Sequence, residues 1–596
     1  MQIQDGITVG AEALTLNGTG IGSTGALRNI SGTNVWQGVV TLASAARINS
    51  DAGSLTFNTA ASNITGTNQN LTLGGAGNGT IATTITTGTG NLTKDGSGTW
   101  TLSGANIYTG GTIVNGGTLD LGGGTASGSL ASSLTLGGGT LAYTRTGSQT
   151  QTFTGTTINP GASAVTAVAG DILDLGAINR NVGGIVDVNT TGTIITSTAN
   201  SNGILGGWAT FGGNTWAVSA GSSAITGLAS YTNDTWAAAN NTTVTGSSSP
   251  GLGSTTNSLR FDAPGAYTLT LSGTNTITSG GILVTSAVVG NLSRITGGSL
   301  TAAPSKDLIV IQNNTGAGLT IDSIINNNTS TGLTKSGAGQ LTLTAANTYT
   351  GSTRVNGGTL TVGIANSLGS LSAVSLSDTA GTTLNLQDFS TVIGSLAGGG
   401  KLGGNVILGN TGTNATLTLG GDNTTTEYAG IISGTHGITK TGSGIQTLSG
   451  NNTYTGTTTV NGGSLQLGSG GTSGSLSANS TIVLNNSSRF KINRSDSVTQ
   501  GVDFGAITGG GYVDLLGTGT TTLVGTNTFA QHLIISAGNL NLTGAHNLDG
   551  SFTNLIITGA GLDNTSGGAL TFANPISLTG SINFVGTSDL TFTGAV

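Results

Sequence analysis

Short segments in which apolar and small polar residues alternate recur along the whole chain. Residues 99–104 read TWTLSG, residues 112–117 read TIVNGG, and residues 118–122 read TLDLG. Alternation with a period of two is typical of a β-strand with one buried face. Asn-Gly-Gly between two such segments predicts a tight turn, because Gly and Asn adopt positive φ at low cost. The pattern therefore predicts an all-β chain of short strands joined by tight turns.

The strand pattern belongs to an internal repeat. Three stretches align without a gap, at 92–121, 333–362 and 438–467. Each has a lysine at its third position, then an asparagine, a tyrosine, a second asparagine and, 25 positions after the lysine, a leucine. The repeat-signature residues are Lys94, Asn106, Tyr108, Asn115 and Leu119; Lys335, Asn347, Tyr349, Asn356 and Leu360; and Lys440, Asn452, Tyr454, Asn461 and Leu465.

Two weaker copies extend the repeat. Residues 514–542 have Asn527, Phe529 and Leu540 in the places of the first asparagine, the tyrosine and the leucine. Residues 269–284 have Asn275 and Ile277 in the asparagine and tyrosine places. One unit of three short strands cannot bury its apolar face alone, whereas stacked units enclose a continuous core.

The repeat favours a parallel β-solenoid over an antiparallel β-sandwich, which also uses short strands and glycine turns. Glycines at a fixed offset suit coils that all turn at the same place, and recurring Thr and Asn suit ladders between coils. At roughly 20–25 residues per coil the chain makes about 25–30 coils. At about 4.8 Å per coil these form a rod roughly 120–145 Å long.

Composition supports this fold and excludes several classes of protein. Gly accounts for 107 of 596 residues and charged residues for only 6 %, which disfavours helices. The hydrophobic share is 35 % and the net charge only −7, unlike a disordered chain. Mild acidity with few Lys and Arg argues against nucleic-acid binding.

Features of export and membrane insertion are not visible in the sequence. There is no cysteine, hence no disulfide and no cysteine metal site, and no apolar run of transmembrane length. The start, MQIQDGITVG, does not look like a signal peptide, and the last residues, DLTFTGAV, do not look like an outer-membrane barrel segment. We expect either that a signal and anchor lie outside this chain, as in a segment of a larger protein, or that the solenoid works by another export route without its own barrel.

The three clear units resemble the autotransporter-associated β-strand repeat, also called the passenger-associated transport repeat. The resemblance rests on the pattern LTKxGxGxxTLxxxNxYTGxTxVNGGxLxL at Lys94, Lys335 and Lys440. It implies a right-handed parallel β-helix of the passenger type, located extracellularly or at the bacterial cell surface. It also implies that the repeat assists export and folding of the passenger.

We expect three regions along the chain. Residues 1–139 are N-terminal solenoid coils that include the first clear repeat. Residues 140–265, which hold Trp208, Trp216 and Trp236, are less regular and predict loops or an insertion. Residues 266–596 return to the solenoid pattern with the second and third repeats and the degenerate copy.

The sequence predicts no catalytic, cofactor-binding or metal-binding residue, and no cofactor. His436, His532 and His546 lack metal-ligand spacing and are interpreted as surface or turn residues. The densest acidic group is Asp171, Asp174 and Asp187. Paired carboxylates serve polysaccharide cleavage, but the favoured interpretation is that these aspartates lie at coil corners or on a solvated face, where they cap turns.

Other polar groups receive structural interpretations with a functional alternative each. The repeat lysines are predicted to be solvated corner charges and the repeat tyrosines to cap the core with the hydroxyl outward; the alternatives are a positive row and carbohydrate stacking. Two further groups are a basic cluster (Arg489, Lys491 and Arg494) and a threonine row (Thr83, Thr84, Thr86 and Thr87). The basic cluster is interpreted as an edge charge or a solvated face, with binding of an anionic sugar or lipid as the alternative. The threonines are interpreted as ordinary strand residues, with a flat hydroxyl lattice as the alternative.

Three functions follow as hypotheses. The first is a non-catalytic structural or adhesive surface module, with a host surface or glycan as partner. The second is a self-assembling extracellular filament subunit, because unpaired strands at solenoid ends invite end-to-end or lateral contacts with further copies. The third is a glycan-binding or glycan-cleaving β-helix that uses residues 140–265.

Overall fold

The computed structural model describes residues 1–60, 62–122, 130, 132–145, 147–411, 415–524, 527–543, 553–584 and 586–595. His546 lies outside the described residues, as do Gly525 and Thr526 of the degenerate copy. The described residues form an all-β solenoid of about 26 turns, whose strands pair almost entirely in parallel with strands of the next coil. The only helices among them are the 3-10 turns Ile21–Ser23 and Ser286–Val288.

The first part of the chain forms one stack of coils, which we call the first rod. Two long parallel ladders run along it, and their strands follow in ladder order. The first ladder consists of Gln2–Ile3, Leu27–Asn29, Val40–Ser50, Leu71–Gly74, Leu92–Lys94, Thr112–Val114, Leu134–Leu136, Thr156–Ile158 and Ile178–Arg180. The second consists of Thr8–Val9, Thr33–Trp36, Ser54–Phe57, Asn78–Ile81, Thr99–Leu102, Thr118–Asp120, Thr140–Tyr143, Gly161–Ala167, Gly184–Val188 and Ala209–Phe211.

The rest of the chain, from Thr232 onward, forms the second rod. Its longest ladder consists of Thr232–Asn233, Asn241–Val244, Ser258–Phe261, Gly281–Val284, Leu308–Gln312, Leu333–Ser336, Thr353–Val355, Ala373–Leu376, Ser395–Gly398, Thr426–Tyr428, Ile445–Leu448, Ser464–Leu467, Arg489–Ile492, Tyr512–Leu515, Leu533–Ile535, Leu555–Ile557 and Ile576–Leu578. Further ladders run from Thr255–Thr256 to Ile432–Ser433, from Thr391–Val392 to Thr528–Phe529 and from Val498–Thr499 to Ile582–Phe584.

The alternation seen in the sequence places the apolar residues inside each rod. In the strand Thr99–Leu102, Trp100 and Leu102 are fully buried while both threonines are partly exposed. Leu92 pairs with Leu71 on one side and Thr112 on the other, 21 and 20 positions away. Because each coil repeats the same inward positions, the cores of successive coils merge into one cluster along each rod.

The expected single rod of 120–145 Å is wrong, because the chain folds back on itself. Parallel pairing in the first rod continues through Ala209–Phe211, which pairs with Gly184–Val188. It then gives way to antiparallel pairs such as Ala209–Phe211 with Thr215–Val218, before the second rod begins. The described strands of the two longest ladders correspond to rods of about 45 Å and about 80 Å.

The two rods lie side by side and run in opposite directions. Gly207 lies against Gly281 near the fold-back point, and farther away the Asn356 Nδ2 donates to the Gly183 carbonyl over 2.7 Å. Farther still, a cleft is lined by Asp95–Ser97 of the first rod and by Ser377–Ala380 of the second. A small apolar cluster that includes Ile185, Trp216 and Ile309 fills the space near the fold-back.

Candidate functional site

The repeat lysines are buried, so their interpretation as solvated corner charges is wrong, and so is the positive-row alternative. Lys94, Lys335 and Lys440 are at most 1 % exposed. Each Nζ donates to three backbone carbonyls, those one, two and 22 positions after the lysine. For Lys335 the acceptors are Ser336, Gly337 and Gly357, at 2.9, 2.7 and 2.9 Å.

This arrangement explains why lysine and the glycine turns occur together. An ammonium group has three donors, which match three carbonyls at two successive corners of the solenoid. The alkyl stem spans the core, and the charge takes the place of water for carbonyls that would otherwise be buried without a donor. Burial lowers the pKa of Lys335 to about 7 and that of Lys94 to about 8, and the pKa of Lys440 is likewise lowered by burial.

The first asparagine of the repeat joins one coil to the coil before it. Asn106 Oδ1 accepts from the backbone N–H of Ile85 over 2.9 Å, and Asn452 Oδ1 does the same for Ile432. Asn347 accepts from Ile325 over 2.7 Å. The same contact occurs in the weaker copies, where Asn275 and Asn527 accept from backbone N–H groups 21 and 20 positions earlier. The side chain thus replaces a ladder hydrogen bond at a corner where the backbone turns away.

The repeat tyrosines point inward, so the prediction of an outward hydroxyl is wrong. Tyr108, Tyr349 and Tyr454 are at most 1 % exposed. The Tyr454 hydroxyl lies 2.6 Å from the Thr458 hydroxyl, which lies 2.7 Å from that of Ser480 in the next coil. Corresponding hydroxyl chains occur at Tyr108 and Tyr349. Burial raises the pKa of Tyr349 to about 12, and carbohydrate stacking on these rings is contradicted by their burial.

The remaining signature positions differ between copies. Leu119, Leu360 and Leu465 all belong to the core. Among the second asparagines, Asn115 and Asn461 are exposed whereas Asn356 is only 3 % exposed. Asn356 is covered by the first rod, which is a consequence of the fold-back and not of the repeat.

Two histidines are less exposed than their interpretation as surface or turn residues predicts. His436 is 6 % exposed, and its Nε2 lies 2.9 Å from the carboxylate of Asp388. Hydrogen bonds from Thr411 and His436 hold the pKa of Asp388 at about 2. His532 is half-buried and packs edge-on against Tyr512.

The three aspartates of the acidic group each bind nearby backbone or hydroxyl groups. Asp171 is buried and accepts from the Gln149 N–H over 3.1 Å. Asp174 accepts from the Gly176 N–H over 2.9 Å, as in a turn cap. Asp187 accepts from Thr210 and Gly213 of the next coil. Within the described part of the chain, no group of three or more His, Asp or Glu could hold a metal ion.

The structure does not bring the basic cluster together. Arg489 and Lys491 lie on one face of their strand, as alternation predicts. Arg489 is paired with Asp514, with Nη1 3.0 Å from the carboxylate, and lies over the Tyr512 ring. Arg494, by contrast, is 7 % exposed and paired with Asp496 and Asp503. A solvated-face role is therefore wrong for Arg494.

The threonine row is split between two faces. Thr83 and Thr87 are buried, while Thr84 and Thr86 are partly exposed. Alternation along the strand therefore leaves only half of the row at the surface.

Sequence reasoning missed a cavity where the two rods meet. It has a volume of about 310 Å³ and is lined by Arg180 of the first rod, by Asn202 and Trp208 of the connecting segment, and by Asn257 and Lys306 of the second rod. Trp208 is half-buried and packs against the core clusters of the first rod and of the junction. The only sequence feature that pointed to this cavity was the group of tryptophans within residues 140–265, which includes Trp208.

Comparisons with known proteins agree with the repeat. The family model of the passenger-associated transport repeat matches residues 92–121, 333–362 and 438–467. Over 492 residues the chain is 31 % identical to the adhesin BmaC autotransporter of Brucella suis biovar 1 (strain 1330). This alignment covers 72 % of the chain but only 14 % of that relative. No solved structure matches the chain.

None of the helices in the described ranges is long and apolar enough to cross a membrane.

Three observations agree on one assignment. They are the match of three units to the repeat model, the similarity to an autotransporter adhesin, and the parallel coils. The chain therefore contains three passenger-associated transport repeats within a passenger-like parallel β-solenoid.

Proposed function

We propose that the chain is a non-catalytic adhesive module of a passenger that is exposed at a bacterial surface or released from it. The observation that carries this proposal is the 31 % identity to an autotransporter adhesin over 72 % of the chain. The chain spans only 14 % of that protein, so adhesion by this segment is our proposal and not a property taken over from the relative.

The geometry of the repeat supports the proposal. The lysine, first asparagine and tyrosine of each unit bond within the solenoid, as at Lys335, Asn347 and Tyr349. The repeat is thereby a scaffold, because the polar contacts that recur in its three units lie inside the solenoid. Outward positions such as Thr99 and Thr101 take no part in these contacts and carry hydroxyl groups suited to contact with another surface.

Adhesion is tested with beads coated with the purified 596-residue chain. We expect these beads to bind cultured epithelial cells severalfold more than beads coated with albumin or with the same chain after heat denaturation. Equal binding of all three preparations contradicts the proposal. Negative-stain microscopy of the same preparation should show isolated particles, whereas filaments of uniform width would favour the self-assembling subunit instead.

The non-catalytic part of the proposal has its own test. The folded chain is incubated with a panel of acidic and neutral polysaccharides, and release of reducing ends is measured. We expect no release above background. Release that is lost in Asp171→Ala or Asp174→Ala, but not in Asp234→Ala at a partly exposed bend, contradicts this part of the proposal.

A further inference from the structure

The cavity at the meeting point of the rods, which we call the rod-junction cavity, is built from both rods and the segment between them. Its volume of about 310 Å³ is at the lower end of the range for small-molecule sites. Unlike the clefts along the coils of a single rod, such as the one lined by Thr41, Thr65 and Thr86, it is lined by residues of both rods. The cavity lies beside the segment between Phe211 and Thr232, in which the parallel pairing of the first rod stops before the second rod begins.

The aromatic wall of the cavity is held in place. Trp208 packs against apolar residues of the first rod and of the junction cluster. A Cβ added to Gly206 would lie 2.2 Å from the Trp208 Nε1, so the indole occupies the space that the missing side chain leaves. A fixed indole that is half-exposed offers a flat apolar surface and an N–H donor at the same place.

The polar wall of the cavity is organised by hydrogen bonds. The Asn202 carbonyl accepts from the Nδ2 of Asn241 over 2.9 Å and from that of Asn257 over 3.2 Å. Ser279 Oγ donates to the Asn257 carbonyl over 2.6 Å. The Asn202 side chain itself is exposed and makes only a 3.4 Å contact with Asn257. Amide and hydroxyl groups are thus fixed at the cavity with hydrogen-bonding capacity left over.

The charge of the cavity is positive. Lys306 is exposed, and its Nζ contact with the Thr278 carbonyl is long, at 3.4 Å. Arg180 is paired with Asp307 through two hydrogen bonds, so its charge is compensated. None of the described residues that line the cavity is an aspartate or glutamate. One uncompensated positive charge therefore remains, on Lys306.

We propose that the rod-junction cavity binds an acidic sugar, namely a uronic or sialic acid residue of a glycan. The apolar C–H face of a pyranose ring stacks on Trp208, the ring hydroxyls bond Asn202 and its neighbours, and the carboxylate meets Lys306. A phosphate-rich ligand fits less well, because a single lysine does not balance several negative charges. The inference rests on the proposed adhesive function and names the ligand class for it.

The test measures binding by isothermal titration calorimetry with sialyllactose and trigalacturonic acid, and with lactose as the neutral control. We expect both acidic sugars to bind the full chain more tightly than lactose. Lys306→Gln should weaken the acidic sugars about tenfold, in keeping with loss of a charge-assisted contact. Trp208→Leu should abolish binding of all of them. Lys401→Gln, at an exposed lysine on the second rod, is the matched control and should change nothing.

Three outcomes overturn the inference: no binding of any acidic sugar at millimolar concentration, equal binding of lactose and sialyllactose, or acidic-sugar binding that Lys306→Gln leaves unchanged. Trp208→Leu also removes packing at the junction, so its thermal unfolding is compared with that of the unsubstituted chain. If the unfolding temperatures of these two chains differ, the inference is judged from Lys306→Gln alone. The coated-bead experiment separates the two proposals. If the beads adhere but the chain binds no acidic sugar, the sugar site is refuted and the adhesive function is supported. If the chain binds acidic sugars but the beads do not adhere, the adhesive function is refuted and the sugar site is supported.

Discussion

Arg180 and Asp307, which are 127 positions apart, form a two-fold hydrogen-bonded ion pair between the rods, with N–O distances of 2.7 and 2.6 Å. Asp307 is 1 % exposed and also accepts from the Thr334 hydroxyl over 2.5 Å. Burial alone raises the pKa of this carboxyl, but the charge and hydrogen bonds of Arg180, with the bond from Thr334, hold the pKa below its ordinary value. The ion pair therefore stabilises the contact between the two rods.

Asp307→Asn should loosen the contact between the rods. It leaves the Arg180 guanidinium, whose side chain is only 13 % exposed, without its counter-charge. Removal of one partner of a buried ion pair typically costs about 3–5 kcal/mol. Since the chain has no cysteine, dyes can be attached at Ser97→Cys and Thr379→Cys, on opposite walls of the cleft between the rods. We expect energy transfer between the dyes to fall in the Asp307→Asn chain.

The matched control is Asp322→Asn, which removes the partner of the half-exposed Arg294 within the second rod. Energy transfer should stay unchanged there. If Asp307→Asn also leaves energy transfer unchanged, the pair does not hold the rods together.

Lys335→Met should destabilise the coils of the second repeat. Methionine keeps the alkyl volume but leaves the carbonyls of Ser336, Gly337 and Gly357 without their donor. Orphaned buried polar groups cost about 1–3 kcal/mol each, so the free energy of unfolding should fall by about 3 kcal/mol in denaturant titrations. Lys401→Met, at an exposed position, should change it by less than about 0.5 kcal/mol. An unchanged or more stable Lys335→Met chain would show that charge burial outweighs the three hydrogen bonds.

The same lysine predicts a pH dependence. Burial lowers the pKa of Lys335 to about 7 in the folded chain, from 10.5 when exposed. Between these values the unfolded chain binds more protons than the folded one, so this group makes the free energy of unfolding rise with pH. The difference in unfolding free energy, unsubstituted chain minus Lys335→Met, should be flat below pH 7 and should increase from about pH 7 to pH 10. A difference that decreases over this window contradicts the burial of the charge.

Tyr454→Phe should remove one link of a buried hydroxyl chain. The Tyr454 hydroxyl lies 2.6 Å from that of Thr458, which keeps its contact with Ser480. Loss of one buried hydrogen bond typically costs about 1 kcal/mol, which is measurable in thermal unfolding. Tyr512→Phe, at a partly exposed tyrosine, serves as the control and should cost less than Tyr454→Phe. Equal losses in the two variants would refute the role of the inward hydroxyl.

Asn356→Ala and Asn115→Ala change the same position of the repeat but should differ in effect. Asn356 donates to Gly183 across the rods, whereas Asn115 is exposed. We expect Asn356→Ala to cost about 1–2 kcal/mol and to raise hydrogen exchange around Gly183. Asn115→Ala should have little effect on either. Similar effects of the two substitutions would mean that the contact between the rods contributes nothing at this position.

The sequence alone was sufficient for the repeat and the coil. Alternation at Trp100 and Leu102 and the glycine turns between strands determine which side chains face inward, because both are local properties of an extended backbone. The sequence was not sufficient to predict whether the polar side chains of the repeat, such as the lysine and the tyrosine, point into the core or into solvent. Lys335 and Tyr349 are buried because three carbonyls and a threonine hydroxyl receive them, and those partners lie partly on a neighbouring coil.

The fold-back and the rod-junction cavity were decided by the tertiary structure. Arg180 and Asp307 carry no sequence pattern that links them, since their contact depends on how two long stacks of coils pack against each other. The same holds for Trp208 and Lys306, whose shared cavity exists only once both rods are in place. Local backbone preference thus determines the coil, while contacts distant in sequence determine where the solenoid breaks and what it can bind.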